Sequence, residues 1–256
     1  MIKAVLIDLN GTVHVGNRAL PGCIEALQKL RKVPGLNIRF VTNNSKESKQ
    51  KLVARLDKMN FEIKPNEIFS ALNATNSLMT NRKPFYFLTD DALKDMTVEQ
   101  ADPDSADTVV IGLAENRFDY ENMNIAFRIL KKPGAKMICC NVGRYHKTDS
   151  GVSLGPGAFS SGLTYSTSVE PTIVGKPNPL FYQAPLKELG LKVEQAVMIG
   201  DDARDDVNGA VAAGLKGILV KTGKFADGDE KDCDDILYCA DDLSDAVDFL
   251  IKKGLV

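Results

Sequence analysis

Short runs of apolar residues recur along this chain of 256 residues, separated by longer stretches whose apolar positions have helical spacing. Apolar and polar positions do not alternate within the first run, which is typical of a parallel strand that is buried on both faces. The runs predict strands, in chain order, at residues 4–9, 37–42, 85–88, 108–111, 137–140, 172–175, 196–199 and 217–220.

The stretches between most of these runs have the spacing, caps and stop signals of helices. They predict helices, in chain order, from about Pro21 to Arg31, at 46–59, from a cap at Asn66 to about 80, and at 119–132, 179–189, 206–213 and 243–253. Strands that alternate with helices in this way are typical of an α/β protein, so we expect a doubly wound, mostly parallel sheet.

Polar side chains of catalytic type follow four of the predicted strands. They are Asp8 and Asn10, Thr42 and Asn43, Lys176, and Asp201 with Asp202. Ligands of open parallel sheets bind outside the carboxyl ends of the strands, and one sheet edge would bring all four strand ends together. A single aspartate at a strand end is unremarkable, but this combination is specific enough to predict a functional site.

The residue types at these strand ends favour phosphoryl chemistry. The carboxylates of Asp8 and Asp201 would repel each other at one sheet edge, and oxygen ligands of this kind favour Mg²⁺. Lys176, Thr42 and the backbone N–H groups of the turn after Asp8 could hold phosphate oxygens. Asp8 would then be free to act as a covalent nucleophile.

Composition and charge exclude several other classes of protein. Lys and Arg number 32 against 34 Asp and Glu, and a pI near 5.8 argues against an electrostatic nucleic-acid binder. No apolar run approaches the roughly 20 residues of a membrane span, and the first run is too short for a signal peptide. Five cysteines without a CxxC spacing favour reduced thiols over a disulfide framework or structural zinc site, and two histidines exclude a multi-histidine metal site. We therefore expect a cytoplasmic protein without a nucleic-acid or membrane partner.

Four motifs, in order along the chain, carry a resemblance to a known family. Asp8-Leu9-Asn10-Gly11-Thr12 resembles the first motif, DxDxT, of the haloacid dehalogenase superfamily. Thr42 in VTNNS, Lys176 in VGKP and Asp201 in GDDARDD are similar to the second, third and fourth motifs. The phrases VTNNS, VGKPNP and the GDD loop are also similar to the subfamily with a large α/β cap between motifs two and three.

The resemblance covers essentially the whole chain and implies two domains. The catalytic core would comprise residues 1–80 and 175–256, and residues 81–174 would form an inserted α/β cap domain. Such a cap would close over the catalytic strand ends and set the choice of substrate. A homodimer formed through the cap is also compatible with the resemblance.

The resemblance also implies a role for each motif residue. Asp8 would be the nucleophile that becomes an aspartyl phosphate, and it would bind Mg²⁺ together with Asp201 and the backbone carbonyl of Asn10. Asp206 would orient either a metal-bound water or Lys176. The residues expected to hold or neutralise the phosphate are Asp8, Leu9 and Asn10 in the turn, Thr42, the Asn43 amide, and Lys176.

Position 10 departs from the family pattern, because the usual phosphatase has aspartate there. That aspartate protonates the leaving group and later activates water, whereas the asparagine side chain cannot transfer a proton at neutral pH. General acid–base assistance is typically worth about 10²–10⁴ in rate, so Asn10 should weaken ester hydrolysis and leave the metal site intact.

Two functions therefore remain open at the level of sequence. The first is a Mg²⁺-dependent phosphohydrolase that acts on a small phosphorylated molecule through Asp8. The alternative, motivated by Asn10, is a catalytically impaired member of the fold that binds a phosphorylated ligand or another protein.

Overall fold

A computed structural model describes residues 1–148, 151–233 and 235–256. The strands within these residues are β1 (Ala4–Ile7), β2 (His14–Val15), β3 (Arg18–Ala19), β4 (Asn37–Thr42), β5 (Ile68–Ser70), β6 (Pro84–Phe87), β7 (Thr108–Ile111), β8 (Lys136–Cys139), β9 (Tyr145–Thr148), β10 (Gly151–Leu154), β11 (Pro171–Ile173), β12 (Ala196–Gly200), β13 (Lys216–Val220) and β14 (Tyr238–Ala240).

The helices follow the same alternation. They are α1 (Cys23–Arg31), α2 (Lys49–Asp57), α3 (Ala71–Asn76), α4 (Asp90–Leu93), α5 (Tyr120–Leu130), α6 (Pro156–Thr167), α7 (Pro179–Glu188), α8 (Gly209–Ala212) and α9 (Leu243–Lys252). A wide, π-helical turn at Ala203–Asn208 precedes α8. Within the part of the chain that the structure describes, we find no helix that combines the length and the hydrophobicity of a membrane span.

The first of two compact units comprises Met1–Thr42, Gln50–Phe69 and Lys176–Val256. Its sheet, among the described residues, has the strand order β14-β13-β12-β1-β4-β5. β1 lies inside this sheet and pairs in parallel with β12 on one side and β4 on the other. The carboxyl ends of these three strands therefore lie next to each other at one edge of the sheet.

The apolar core of this unit explains why β1 lies at the centre. All four residues of β1 are fully buried, and Val5 and Ile7 belong to a cluster that also contains Leu30 of α1 and Leu250 of α9. Burial of a side chain of this size contributes about 1.5–3 kcal/mol, so the strand that supplies the first motif is held firmly in place.

The second compact unit comprises Asn43–Lys49 and Ser70–Gly175. Its four-stranded sheet has the order β11-β8-β7-β6, with parallel pairing throughout. A cluster around Phe87, Val109 and Ile129 forms its core. β9 and β10 pair with each other in antiparallel orientation.

The structure confirms the predicted α/β class with mostly parallel strands. Two predicted strands, 37–42 and 108–111, have the predicted bounds, and most others differ by one to three residues. For the helix predicted from a cap at Asn66 to about residue 80, a helix is present, but the predicted start and length are wrong. Pro65–Glu67 makes a single 3-10 turn, Ile68 and Phe69 are buried in β5, and α3 begins only at Ala71.

Candidate active site

Two aspartates follow neighbouring strands at the centre of the first sheet. Asp8 comes directly after β1, where its backbone N–H donates to the carbonyl oxygen of Ile199 at 2.9 Å. Asp201 comes directly after β12, which pairs with β1 in register from Ala4 to Ile7. Both side chains are buried, with exposed fractions of 6% and 2%. Parallel pairing thus brings together two carboxylates that are 193 residues apart in the chain, the difference between 201 and 8.

Lys176 forms ion pairs with two aspartates of this site, Asp8 and Asp206. Its Nζ donates to Oδ1 of Asp8, to Oδ1 of Asp206 at 2.6 Å and to the Val41 carbonyl oxygen at 3.3 Å. Burial would lower the pKa of Lys176, but the carboxylates of Asp206 and Asp8 outweigh it and raise that pKa well above its ordinary value. The buried ammonium is therefore charged and points at the proposed nucleophile.

The strand before Lys176 does not belong to the sheet that we expected. We expected all four strand ends at one sheet edge, but the strand before Lys176, β11, pairs with β8 in the second sheet. Lys176 is instead the first residue of the first unit after the chain leaves the second. An apolar run predicts a strand, but it carries no signal for the sheet to which that strand belongs.

Asp206 is held on both sides of its carboxylate. Oδ1 accepts from Lys176, and Oδ2 accepts from the backbone N–H of Asp202 at 3.1 Å. The side chain of Asp202 caps the π-helical turn by accepting from the amides of Arg204 and Asp205 at 3.1 Å and 2.8 Å. This capped turn places Asp206 inside the unit, where 1% of its surface is exposed.

The three buried carboxylates form a group that fits a divalent cation. Asp8, Asp201 and Asp206 each offer a carboxylate oxygen within 4.8 Å of the others. Their charge exceeds that of the Lys176 ammonium between them, and burial together with the charge of Asp8 raises the pKa of Asp201 to about 6. A cation would relieve this repulsion, and a hard ion such as Mg²⁺ prefers oxygen ligands of this kind.

The turn after Asp8 brings its backbone close to Asp201. Gly11 has φ +107°, and a Cβ built there would lie 2.1 Å from Oδ2 of Asp201, so the position requires glycine. Leu9 is buried, and its carbonyl oxygen accepts from the Val13 amide at 2.9 Å, which closes the turn. Asn10 lies within this turn with an exposed side chain.

The two residues expected to bind phosphate from motif two lie in different units. Thr42 is the last residue of β4, beside β1, and is buried. Asn43 follows it in the chain but belongs to the second unit, where its carbonyl oxygen accepts from Nδ2 of Asn141 at 3.2 Å. The structure thus places Asp8, Thr42, Lys176, Asp201 and Asp206 in the first unit.

Several hydrogen bonds around the three aspartates were not predicted from the sequence. Oγ1 of Thr12 donates to Oδ1 of Asp201 at 3.1 Å, and the Lys224 amide donates to Oδ2 of Asp201 at 2.7 Å. Oγ1 of Thr222 donates to the carbonyl oxygen of Gly11 at 2.6 Å. A signal was present, since Thr222 and Lys224 lie just after β13, whose carboxyl end meets the same sheet edge.

Lys176→Met is expected to lower the free energy of unfolding by about 3–5 kcal/mol, because it leaves buried carboxylates without their cation. Urea denaturation without divalent ions measures this loss. The deficit should shrink as pH falls, since burial raises the pKa of Asp206 well above its ordinary value and the unpaired Asp206 then takes up a proton in the folded state. Lys29→Met is the matched control, because Lys29 pairs with Asp248 at 2.8 Å on the surface, and its loss should leave stability nearly unchanged. Equal losses in the two variants would contradict the prediction.

Two family models match separate parts of the chain. A model described as haloacid dehalogenase-like hydrolase matches residues 5–101, and one described as HAD-hydrolase-like matches residues 173–246. These matches contain the segments with Asp8 and Thr42 and those with Lys176, Asp201 and Asp206.

Curated relatives and solved structures resemble the chain over nearly its whole length. Haloacid dehalogenase-like hydrolase domain-containing protein 2 of Bos taurus is 44% identical over 258 residues, covering 99% of this chain and 98% of the relative. Phospholysine phosphohistidine inorganic pyrophosphate phosphatase of Danio rerio is 34% identical, covering 98% and 95%. The structure of p-nitrophenyl phosphatase from Archaeoglobus fulgidus superposes with a TM-score of 0.89 at 27% identity, covering 97% of this chain and 99% of that one.

Proposed function

Because the chain belongs to the haloacid dehalogenase-like hydrolase family, we propose that it is a Mg²⁺-dependent phosphohydrolase of small phosphorylated molecules. The observation that carries the proposal is the buried ammonium of Lys176 between Asp8 and Asp206, with Asp201 alongside. A carboxylate held at a strand end beside a fixed cation is suited to attack an electrophilic phosphorus atom.

The reaction has two displacement steps. In the first, a carboxylate oxygen of Asp8 forms a bond to phosphorus, and the bond from phosphorus to the leaving group breaks. In the second, a water oxygen attacks the phosphorus of the aspartyl phosphate, and the bond to Asp8 breaks. Inorganic phosphate leaves, Asp8 is regenerated, and the proton lost by water passes to solvent.

The chain's own residues hold charge during these steps. Lys176 neutralises negative charge that gathers on Asp8 and the phosphate, while Asp206 keeps its ammonium in place. The Thr42 hydroxyl and the amides of Leu9, Asn10 and Asn43 would hold the phosphate oxygens. Asp8, Asp201 and the Asn10 carbonyl would hold Mg²⁺, which when bound supplies further neutralisation of the phosphate. In this proposal residues 81–174, which lie in the second unit, select the substrate.

The proposal is tested by measuring phosphate release from a panel of aryl phosphates, alkyl phosphates, phosphoramidates and pyrophosphate, with Mg²⁺ and with a chelator. Turnover that requires Mg²⁺ supports the enzyme. Binding of phosphoesters without turnover by the folded protein would contradict it and favour the second candidate, a phosphate-ligand binder, which Asn10 motivates.

Asn10 leads to a prediction about the leaving group. Without a general acid, aryl phosphates, pyrophosphate and phosphoramidates should react faster than alkyl phosphates, whose alkoxide leaving groups are strongly basic. Asn10→Asp should raise kcat/KM for an alkyl ester by about tenfold or more, because general acid–base help is typically worth about 10²–10⁴. The gain for an aryl ester should be much smaller.

The prediction is checked by measuring kcat/KM for one aryl and one alkyl phosphate ester with the wild type and with Asn10→Asp. Equal gains on both substrates, or no gain on the alkyl ester, would contradict the leaving-group argument. Either result would indicate that Asn10 slows all substrates alike, or that a water or the buried His14 replaces the acid.

A further inference from the structure

A loop that follows β13 contacts two parts of the proposed metal site, the turn after β1 and the side chain of Asp201 after β12. The hydroxyl of Thr222 donates to the Gly11 carbonyl oxygen at 2.6 Å, in the turn after Asp8. Two residues later, the Lys224 amide donates to Oδ2 of Asp201 at 2.7 Å. Residues 222–224 thus link the turn after β1 to the carboxylate after β12.

The middle residue of this loop packs against the same atoms. Gly223 has φ +60°, and a Cβ built there would lie 2.1 Å from Oδ2 of Asp201 and 2.5 Å from the Gly11 Cα. The backbone of the loop therefore lies directly against the carboxylate and the turn, at a distance that a side chain would prevent.

The contact with Gly11 bears on the neighbouring Asn10 carbonyl. Gly11 lacks a side chain and is the residue of its turn with the greatest conformational freedom. The Gly11 N–H, which shares its peptide plane with the Asn10 carbonyl, donates to the His14 carbonyl oxygen at 2.7 Å, and the Thr222 hydroxyl holds the next peptide plane through the Gly11 carbonyl. The two bonds together limit rotation about both backbone torsions of Gly11, and so fix the direction of the Asn10 carbonyl. Thr222 thereby restrains one proposed metal ligand, while the Lys224 amide orients a second, Asp201.

We propose that Thr222 and the Gly223–Lys224 peptide are positioning elements that set the affinity of the site for Mg²⁺, an inference that rests on the proposed function. They orient the Asn10 carbonyl and the Asp201 carboxylate without contacting substrate. Groups that orient metal ligands in this way typically change metal affinity by about 10–100-fold when they are removed.

The first test removes the hydroxyl of Thr222 and keeps the shape of its side chain. Thr222→Val should weaken Mg²⁺ binding by about tenfold, measured by titration calorimetry without substrate, and Thr222→Ser should restore most of it. In turnover assays, the Mg²⁺ concentration for half-maximal rate should rise in parallel, and excess Mg²⁺ should recover most of the lost rate. Thr164→Val is the matched control, since the Thr164 hydroxyl donates to the Val169 carbonyl oxygen at 3.2 Å in the second unit.

The second test introduces a methyl group at the contact. Gly223→Ala should weaken Mg²⁺ binding by more than about tenfold, because its Cβ would displace Asp201. Gly190→Ala is the matched control, since Gly190 has φ +67° and no atom within 4 Å of its built Cβ. The control carries the same backbone strain without the clash, so it should keep its Mg²⁺ affinity.

The outcomes of these tests distinguish a failure of the positioning role from a failure of the proposed function. Unchanged Mg²⁺ affinity in Thr222→Val, or equal losses in Thr222→Val and Thr222→Ser, would overturn the positioning role while leaving the metal site. Affinity lost equally in Gly190→Ala and Gly223→Ala would overturn it too. A wild-type protein that does not bind Mg²⁺ would overturn the proposed function itself.

Discussion

Asp8→Asn is expected to lower turnover by about 10⁴-fold or more while the protein remains folded. The amide has nearly the same shape as the carboxylate, but it cannot form the proposed acyl phosphate. The fold should tolerate the change because Lys176 keeps its contact with Asp206 at 2.6 Å. The substitution also removes one charge that repels Asp201.

The measurement is the rate of phosphate release from an aryl phosphate at saturating Mg²⁺. Asp248→Asn provides the matched control, because it makes the same chemical change at a surface carboxylate paired with Lys29. That variant should retain wild-type turnover. A folded Asp8→Asn protein that keeps more than about one hundredth of the wild-type rate would exclude Asp8 as the nucleophile.

The sequence was a good guide to the centre of the first sheet for a definite physical reason. β1 and β12 are buried at every position and form apolar runs without alternation, whereas β4 has the polar residues Asn37 and Arg39 before its buried last three residues. A buried run must end where the chain meets polar surroundings, and the residues there are Asp8, Thr42 and Asp201. Because the three strands pair in parallel, their carboxyl ends lie at one edge of the sheet, and these three residues lie there together.

The sequence was a poor guide wherever a short segment could join more than one sheet. β11 contains three residues, and its apolar run alone does not assign it to the second sheet, although the resemblance implied a cap domain over residues 81–174 that includes it. β5 is equally short, and its buried Ile68 and Phe69 also fit a helix face. Packing against the rest of the molecule decides such cases, and packing is not visible in local periodicity.

The end of β13 indicates that the loop after it lies near Asp201, but the sequence does not indicate which contacts this loop makes. Thr222 and Gly223 are ordinary turn residues, and their neighbours do not indicate that one would bind the Gly11 carbonyl and the other lie against a carboxylate. The Thr222–Gly11 contact joins residues 211 positions apart in the chain, so it depends on the arrangement of β13 relative to β1. A strand end identifies where chemistry occurs, but not which backbone groups hold it in place.

Asp201→Ala is expected to weaken Mg²⁺ binding by more than about 100-fold and to remove Mg²⁺-dependent turnover, since Asp201 is a proposed direct ligand and removal of such a ligand costs more than removal of a supporting group. Asp241→Ala is the matched control, because Asp241 also follows a strand of this sheet, β14, yet its side chain is 81% exposed. It should leave Mg²⁺ binding unchanged.

Thermal unfolding separates metal loss from structural damage in Asp201→Ala. The substitution leaves the Thr12 hydroxyl and the Lys224 amide without their acceptor, which costs about 1–3 kcal/mol even without metal. Each protein is therefore compared with itself, with and without Mg²⁺. At about 100 times its dissociation constant, Mg²⁺ should stabilise the wild type by about 2.7 kcal/mol and raise Tm. Asp201→Ala should show no such rise, and full Mg²⁺ dependence in that variant would place the metal elsewhere.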